Sequence, residues 1–321
     1  SSVKEKNNNQ QYRAEIMDRL LKRCRIKSRL FRECLAEFFG VYILILFGCG
    51  SVAQVTTSQN TKGEYPSINL GFALGTTFGV YVPKGVSGAH LNPAVSLTLC
   101  VLGRFSWTRL PFYVWSQLFG AFLAAATVAL QYYDAIMDFT GGHLTVSGAT
   151  ATAGIFSTYP ADYLSLWGGV VDQIIGTAAL LVCVLALGDP HNTPAPPGLE
   201  PVLVGAAVLV IGISMGSNSG YAINPARDFG PRLFSYIAGW GDEVFRSLLC
   251  SSRLHLIDQK YSKNSNTVQY YYNIKKFAFY FNIFVNVIYS CDTKLNFQQS
   301  LLQSSVMLIY CSRNISDYDQ C

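Results

Sequence analysis

Apolar residues form five long runs, and polar or glycine- and proline-rich links separate them. A segment that crosses a bilayer as a helix needs roughly 20 mostly apolar residues. Five stretches meet or approach this length: residues 35–55, 68–82, 110–133, 164–187 and 201–215. The intervening links include residues 56–67, 134–163 and 189–197. This pattern predicts an all-α membrane protein.

Two further apolar runs, residues 92–102 and 224–237, are too short to cross a bilayer, and both begin Asn-Pro-Ala. Eleven residues of helix extend only about 16 Å. The preceding residues repeat too, since Ser-Gly-Ala-His-Leu before the first copy matches Ser-Gly-Tyr-Ala-Ile before the second at a constant offset of 132. Two predicted spans precede the first copy and five precede the second, so the copies start from opposite membrane faces. This arrangement predicts an inverted repeat whose half-helices meet at the midplane.

Asn-Pro-Ala is suited to starting a helix, because Asn is a good N-cap and Pro a good first residue. If the oxygens of Asn92 and Asn224 cap their own helices, their NH2 groups are left to point elsewhere. A water between them would accept from both and turn its hydrogens outward, which breaks a proton wire. The glycine-containing loops before each Asn also offer backbone carbonyls to a lumen. A single Asn-Pro-Ala could be a chance tripeptide or a simple helix start; two copies in one repeat favour a pore.

Charge is scarce and unevenly placed. Charged residues make up 13% of the 321 residues, against about 25% in soluble domains. Ten Lys/Arg lie in residues 1–32 and six in residues 33–245, so the basic residues form no face for nucleic acid. The densely basic arm 1–32 predicts a cytoplasmic N-terminus, and the lack of a small-residue cleavage site predicts a retained first helix. Nine cysteines without a CxxC pair predict no disulfide framework and no metal site.

The sequence resembles the aquaglyceroporins, the glycerol facilitators of the major intrinsic protein family. The strings that carry the resemblance are GVSGAHLNPAVSL at 85–97, SGYAINPARDFGPRLF at 219–234, GIFSTYP at 154–160 and AEFFG at 36–40. The resemblance covers about residues 30–246. It implies six spans plus two half-helices, one pore per subunit, a homotetramer, and water and glycerol as permeants without a cofactor. Urea is a further possible solute, and the plasma membrane is the expected location.

The resemblance also implies site residues. The two pore motifs are Asn92, Pro93, Ala94, Asn224, Pro225 and Ala226. Arg227, Tyr221, Phe72 and Gly212 match the selectivity filter, in which a glycine in place of a histidine is expected to widen the constriction. Taken alone, Arg227 could be an arginine that reaches the interface and Phe72 a packed or lipid-facing residue. The filter interpretation gives an amphipathic slot, with Arg227 taking hydroxyls and the aromatics taking CH faces.

Other residues are expected to support this pore. Glu37 and Asp172 lie in the first and fourth spans and are interpreted as braces for the two pore loops, with a proton relay as the alternative. Asp228 and Arg232 match the glycerol-type pattern and can pair at i,i+4, for structure or for solute contact. His90 is expected to pack beneath its loop. The candidate carbonyl donors to the lumen belong to Gly88, Ala89, His90, Gly220 and Ala222.

The family pattern ends after residue 245, and residues 247–321 depart from it. The best apolar run there, residues 277–289, contains two asparagines and is too short for a span, so the sixth span is predicted to be missing or replaced. The predicted organisation is a basic arm 1–32, a channel domain 33–246 and an atypical tail 247–321. Two functions follow: a conducting water and glycerol channel, or a non-conducting truncated variant that associates with full-length subunits. No catalytic motif supports an enzyme.

Overall fold

The computed structural model describes residues 11–12, 16–17 and 26–246. The chain divides into two units, residues 1–262 and 263–321, and all described residues belong to the first. The predicted tail 247–321 and most of the arm 1–32 therefore lie outside the described residues, and both boundaries stay predictions. The helices are α1 (Arg29–Thr57), α2 (Tyr65–Tyr81), α3 (Lys84–Ser87), α4 (Pro93–Val101), α5 (Leu110–Gln131), α6 (Tyr133–Thr140), α7 (Leu166–Leu187), α8 (Glu200–Ser219), α9 (Pro225–Ser235) and α10 (Glu243–Arg246).

The five predicted spans are helices α1, α2, α5, α7 and α8. Within the described residues, four of them are long and apolar enough to cross a membrane, and α2 is the exception. It has 17 residues and so extends about 25 Å. Glycines bring α2 close to α1: a methyl group at Gly75 or Gly79 would lie 2.9 Å from the carbonyl oxygen of Leu44 or 2.8 Å from that of Gly40. The opposite face of α2 exposes Leu70, Leu74 and Phe78, as a lipid-facing side does.

The two short apolar runs form the half-helices α4 and α9. Each begins directly after an extended asparagine, Asn92 or Asn224, with proline at the first helical position. Both asparagine side chains cap the helix that follows. Helix α4 ends at Val101, and α9 ends at Ser235 and continues as a short π-helical turn (Tyr236–Trp240) that is kinked at Gly239. The short runs are therefore half-helices, as the sequence predicts.

Three short elements have no counterpart in the sequence prediction: α6, a 3₁₀ turn and α3. The link 134–163, interpreted as polar, contains α6 and a 3₁₀ turn at Ala153–Ile155. Helix α6 stops at Gly141, which adopts a left-handed conformation that favours glycine. The one-turn helix α3 lies between the second span and the first pore loop. Around these elements α1 packs against α2 and α5, α2 against α8, α7 against α8, and α9 against α5.

Candidate solute pathway

A cavity of about 230 Å³ lies between the two halves of the repeat. Its lining includes many of the residues that the sequence singles out: Phe72, Gly88, Ala89, His90, Asn92, Tyr221, Ala222, Asn224 and Arg227. Apolar residues such as Leu44, Val80 and Val204 form much of the remaining wall. Lys84, Arg104 and Glu200 also line it, although no sequence pattern indicates that they border a lumen. The cavity therefore has a mostly apolar wall with polar groups at a few positions.

Each pore asparagine is hydrogen-bonded to the pore loop of the opposite half. Asn92 Oδ1 accepts from the Ala94 amide at 2.8 Å, and its Nδ2 donates to the Ile223 carbonyl at 2.8 Å. Asn224 Oδ1 accepts from the amides of Ala226 and Arg227, and its Nδ2 donates to the Leu91 carbonyl at 2.8 Å. The oxygens cap their own helices as expected, and each NH2 group donates one hydrogen to the opposite loop. The second hydrogen of each NH2 has no acceptor within the described ranges.

Both pore loops carry the same unusual backbone. Gly88, Ala89 and Leu91 have φ values of 90°, 61° and 57°. At the offset of 132, Gly220, Tyr221 and Ile223 have φ values of 76°, 41° and 41°. A β-branched residue with positive φ, such as Ile223, is strained, and such residues persist only where their surroundings fix them.

Glu37 provides much of that fixing for the first loop. Its carboxylate is fully buried and accepts four hydrogen bonds. Two come from the loop amides of His90 and Leu91, at 2.9 and 2.7 Å. The others come from Ser87 Oγ at 2.6 Å and Gln117 Nε2 at 2.8 Å. These four bonds favour the interpretation of Glu37 as a brace for the first loop, which stays a prediction beside the proton-relay alternative.

Asp172 does not brace the second loop in the same way, which corrects the sequence interpretation. Its carboxylate accepts from Asn218 Nδ2 at 2.9 Å and from Ser219 Oγ, both at the end of α8. The loop amide of Ile223 is instead bound by the neighbouring Gln173 Oε1, at 3.1 Å. Aspartate is one methylene shorter than glutamate, and the longer glutamine reaches the loop. Gln173 was missed because one polar residue in an apolar helix has no spacing signal.

The predicted filter residues Phe72, Tyr221 and Arg227 come together. The rings of Phe72 and Tyr221 stand nearly perpendicular, with centroids 6.3 Å apart. The Arg227 guanidinium carbon lies 4.4 Å from the centre of the Phe72 ring, within the range of a cation–π contact. Arg227 Nη1 donates to the Phe156 carbonyl at 3.4 Å. An arginine with five donors therefore faces the cavity beside two aromatic rings.

Gly212 does not simply widen the constriction. It is not among the residues that line the cavity. A methyl group at Gly212 would lie 2.9 Å from Tyr221 Cζ and 2.6 Å from Asn69 Oδ1. The Tyr221 ring thus occupies the space that a side chain at residue 212 would fill. The glycine therefore allows this ring to pack directly against α8.

Asp228 and Arg232 form a buried structural cluster. Arg232 is fully buried and pairs with Asp228, with Nε and Oδ2 3.0 Å apart. It also donates to the carbonyls of Val244 and Thr158, both at 2.5 Å. Asp228 Oδ1 accepts from the Thr158 amide and hydroxyl at 2.8 Å. This cluster fixes the segment that follows Phe156, the acceptor of Arg227.

His90 packs beneath its loop. Its ring lies 4.7 Å from Phe105 and 5.0 Å from Tyr113 between centroids, and Nδ1 is 3.0 Å from Ser96 Oγ. Of the five residues expected to offer carbonyls, all but Gly220 line the cavity. The carbonyls of Leu91 and Ile223 are already bound by the pore asparagines.

Comparisons with known proteins agree with this architecture. The family model described as "Major intrinsic protein" matches residues 25–245. Human aquaporin-10 is 53% identical over 72% of this chain and 76% of its own length, and human aquaporin-9 is 52% identical over 69% and 75%. The X-ray structure of the aquaglyceroporin from Plasmodium falciparum matches with a TM-score of 0.61 and 32% identity, over 67% of this chain and 85% of that one. The chain therefore belongs to the major intrinsic protein family of membrane channels, as an aquaglyceroporin-type member.

Proposed function

We propose that this protein is a passive channel for water and glycerol that excludes protons and ions. The observation that carries the proposal is the group formed by Arg227, Phe72 and Tyr221 at the wall of the cavity. A polyol has hydroxyls on one side and CH groups along its chain. Arginine donors match the hydroxyls, and aromatic faces match the CH groups. A slot of this kind admits a small neutral solute, while a charged solute would have to give up its hydration.

Proton exclusion follows from the asparagine pair. Each NH2 retains one hydrogen beyond its bond to the opposite loop, and the N-termini of α4 and α9 add partial positive charge at the same point. A water there accepts from both asparagines and turns its own hydrogens toward the two mouths. A continuous proton wire is thereby interrupted, and cations are repelled.

The names of the relatives support the same function. Two human relatives are called aquaporins and the solved neighbour an aquaglyceroporin. The basic residues before α1 favour a cytoplasmic N-terminus, and we propose the plasma membrane as the location and a homotetramer as the assembly. Urea is a further candidate solute.

The test is solute flux in proteoliposomes that contain the full chain. Stopped-flow light scattering measures shrinkage by water and re-swelling by glycerol, and a trapped pH-sensitive dye reports proton flux. Empty vesicles give the background flux, and vesicles with Arg227→Ala show how flux changes when the filter arginine is removed. Flotation with protease protection verifies that the protein is inserted. Water and glycerol flux well above empty vesicles without proton leak is expected. Correctly inserted protein without flux would overturn the proposal and leave the non-conducting alternative.

A further inference from the structure

Two buried oxygens lie near the filter without a protein partner. Asn69 Oδ1 and Tyr221 Oη make no hydrogen bond to any described residue. The Asn69 side chain, on α2, is 1% exposed, and Tyr221 is 6% exposed. A buried polar group without a hydrogen bond destabilises the folded protein, so two of them close together require an explanation.

The two groups meet at Gly212. A methyl group added there would contact Asn69 Oδ1 and the Tyr221 ring carbon that bears the hydroxyl, at 2.6 and 2.9 Å. Tyr65, one turn before Asn69, donates its hydroxyl to the Gly212 carbonyl at 3.3 Å. The wall behind Tyr221 is therefore polar on one side, although it lies among apolar helices.

The chemistry of the pair is complementary. A phenol hydroxyl donates and an amide oxygen accepts, yet the two do not bond to each other. One water placed between them would accept from Tyr221 Oη and donate to Asn69 Oδ1. Buried waters commonly satisfy such otherwise unpartnered groups. The Asn69 side chain also interacts with the Tyr65 hydroxyl, but among the described residues Asn69 Oδ1 and Tyr221 Oη themselves have no hydrogen-bond partner.

We propose that Asn69 is a positioning residue that sets solute size selectivity by holding Tyr221 through one bound water. This inference rests on the proposed function. Tyr221 is one of the two aromatic walls of the filter, and its ring is fixed on one side by Gly212 and Gly216. The water bridge to Asn69 restricts the remaining motion of the Tyr221 ring, which is a displacement of its hydroxyl end. Without the bridge the ring tilts more freely and the slot admits bulkier polyols.

The test compares Asn69→Leu, Tyr221→Phe and the double variant in proteoliposomes. The measured quantity is the permeability of a five-carbon polyol divided by that of glycerol. Each single change is expected to raise this ratio about threefold or more, and the double change no further than the larger single one, because coupled groups are not additive. Thr77→Val is the matched control, since its buried hydroxyl on the same helix is bound by the Ala73 carbonyl. Its ratio is expected to stay at the wild-type value.

Several outcomes would overturn the inference. Unchanged ratios in a conducting protein would remove Asn69 from the selectivity mechanism and leave the proposed function intact. If the double variant changes the permeability ratio by the product of the two single effects, the two groups act separately. If Asn69→Leu fails to fold, Tyr221→Phe, which keeps the ring, must change the ratio alone.

A second measurement does not depend on conduction. A high-resolution experimental structure of the wild-type protein should show density for one water within hydrogen-bonding distance of Asn69 Oδ1 and Tyr221 Oη. Clear density for both side chains without a water between them would overturn the bridge. A wild-type protein that does not conduct would overturn the proposed function, while this density would still decide the bridge.

Discussion

The two pore loops, residues 88–92 and 220–224, share one backbone and differ in their side chains. At the offset of 132, Ala89 corresponds to Tyr221, and Val95 to Arg227. All four line the cavity. At these two positions the first half thus presents small apolar groups, from its loop and from α4, and the second half presents a ring from its loop and a cation from α9. The repeat fixes the path of the backbone, whereas the filter side chains differ between the halves: Tyr221 and Arg227 come from the second half and Phe72 from the first.

The supports of the loops differ as well. One carboxylate, Glu37, binds two amides of the first loop. In the second half two side chains share this function. Gln173 binds an amide of the loop, and Asp172 binds a side chain at the end of α8. The same strained backbone can therefore be held by one strong acceptor or by several weaker ones. Removal of a single acceptor should then destabilise the first loop more than the second.

The largest effect is expected from Glu37→Ala. The change leaves four donors without their acceptor, two of them in buried bonds. At about 1–3 kcal/mol for each buried donor, the free energy of unfolding should fall by about 2–6 kcal/mol. The protein is expected to lose its monodisperse form in detergent, as measured by size-exclusion chromatography and thermal unfolding. Gln173→Ala, which removes one loop acceptor, should lower the unfolding midpoint much less. Equal losses would show that the two loops are held alike.

The next effect is expected from Gly212→Ala. The added methyl group contacts Tyr221 and Asn69 within 3 Å, and overpacking of this kind costs about 1–3 kcal/mol. The Tyr221 ring should be pushed toward the lumen, so glycerol permeability should fall more than water permeability. Gly50→Ala is the control, because nothing lies within 4 Å of its added methyl group. Wild-type glycerol flux in Gly212→Ala would contradict the packing that we describe.

Arg227→Ala tests the asymmetry between the halves directly. Loss of the guanidinium should raise the permeability of larger polyols or ions relative to water about tenfold, equivalent to about 1.4 kcal/mol, without abolishing water flow. Val95→Ala, at the corresponding position of the first half, should leave this ratio near the wild-type value. Flux assays with a polyol series and with a salt gradient measure both. An unchanged ratio in Arg227→Ala would remove Arg227 from the filter.

The smallest effect is expected at the ion pair between Lys84 and Glu200. Its Nζ and Oε1 atoms are 2.6 Å apart, but both side chains are partly exposed. Exposed pairs contribute about 0–1 kcal/mol, so Lys84→Ala should barely change the unfolding midpoint, and addition of salt should remove most of the difference. A loss comparable to that of Glu37→Ala would show that the pair is shielded from solvent.

The parts of this architecture that repeat were predictable from the sequence. Two Asn-Pro-Ala strings at a fixed offset predicted the half-helices, and the long apolar runs predicted the spans. The family match confirms the fold class and the channel family. Glu37 was noticed because a carboxylate in an apolar run is conspicuous.

Residues that act through packing were not predictable. Gln173 and Asn69 are single uncharged polar residues in apolar helices, and only the folded chain shows what faces them. The sequence also does not say whether Gly212 borders the lumen itself or makes room for a neighbouring ring, and its effect on the width of the constriction stays a prediction. The prediction that the sixth span is missing or replaced, and that of an atypical tail 247–321, fall on residues outside those described and stay predictions.

The crossed hydrogen bonds of Asn92 and Asn224 bear on how such a protein can be regulated. Each side chain starts its own half-helix and holds the opposite loop, so moving either half-helix breaks bonds in both. The pathway is therefore expected to keep a constant width at the asparagine pair. A mechanism that opens or closes the path while keeping these bonds must therefore act away from the asparagine pair.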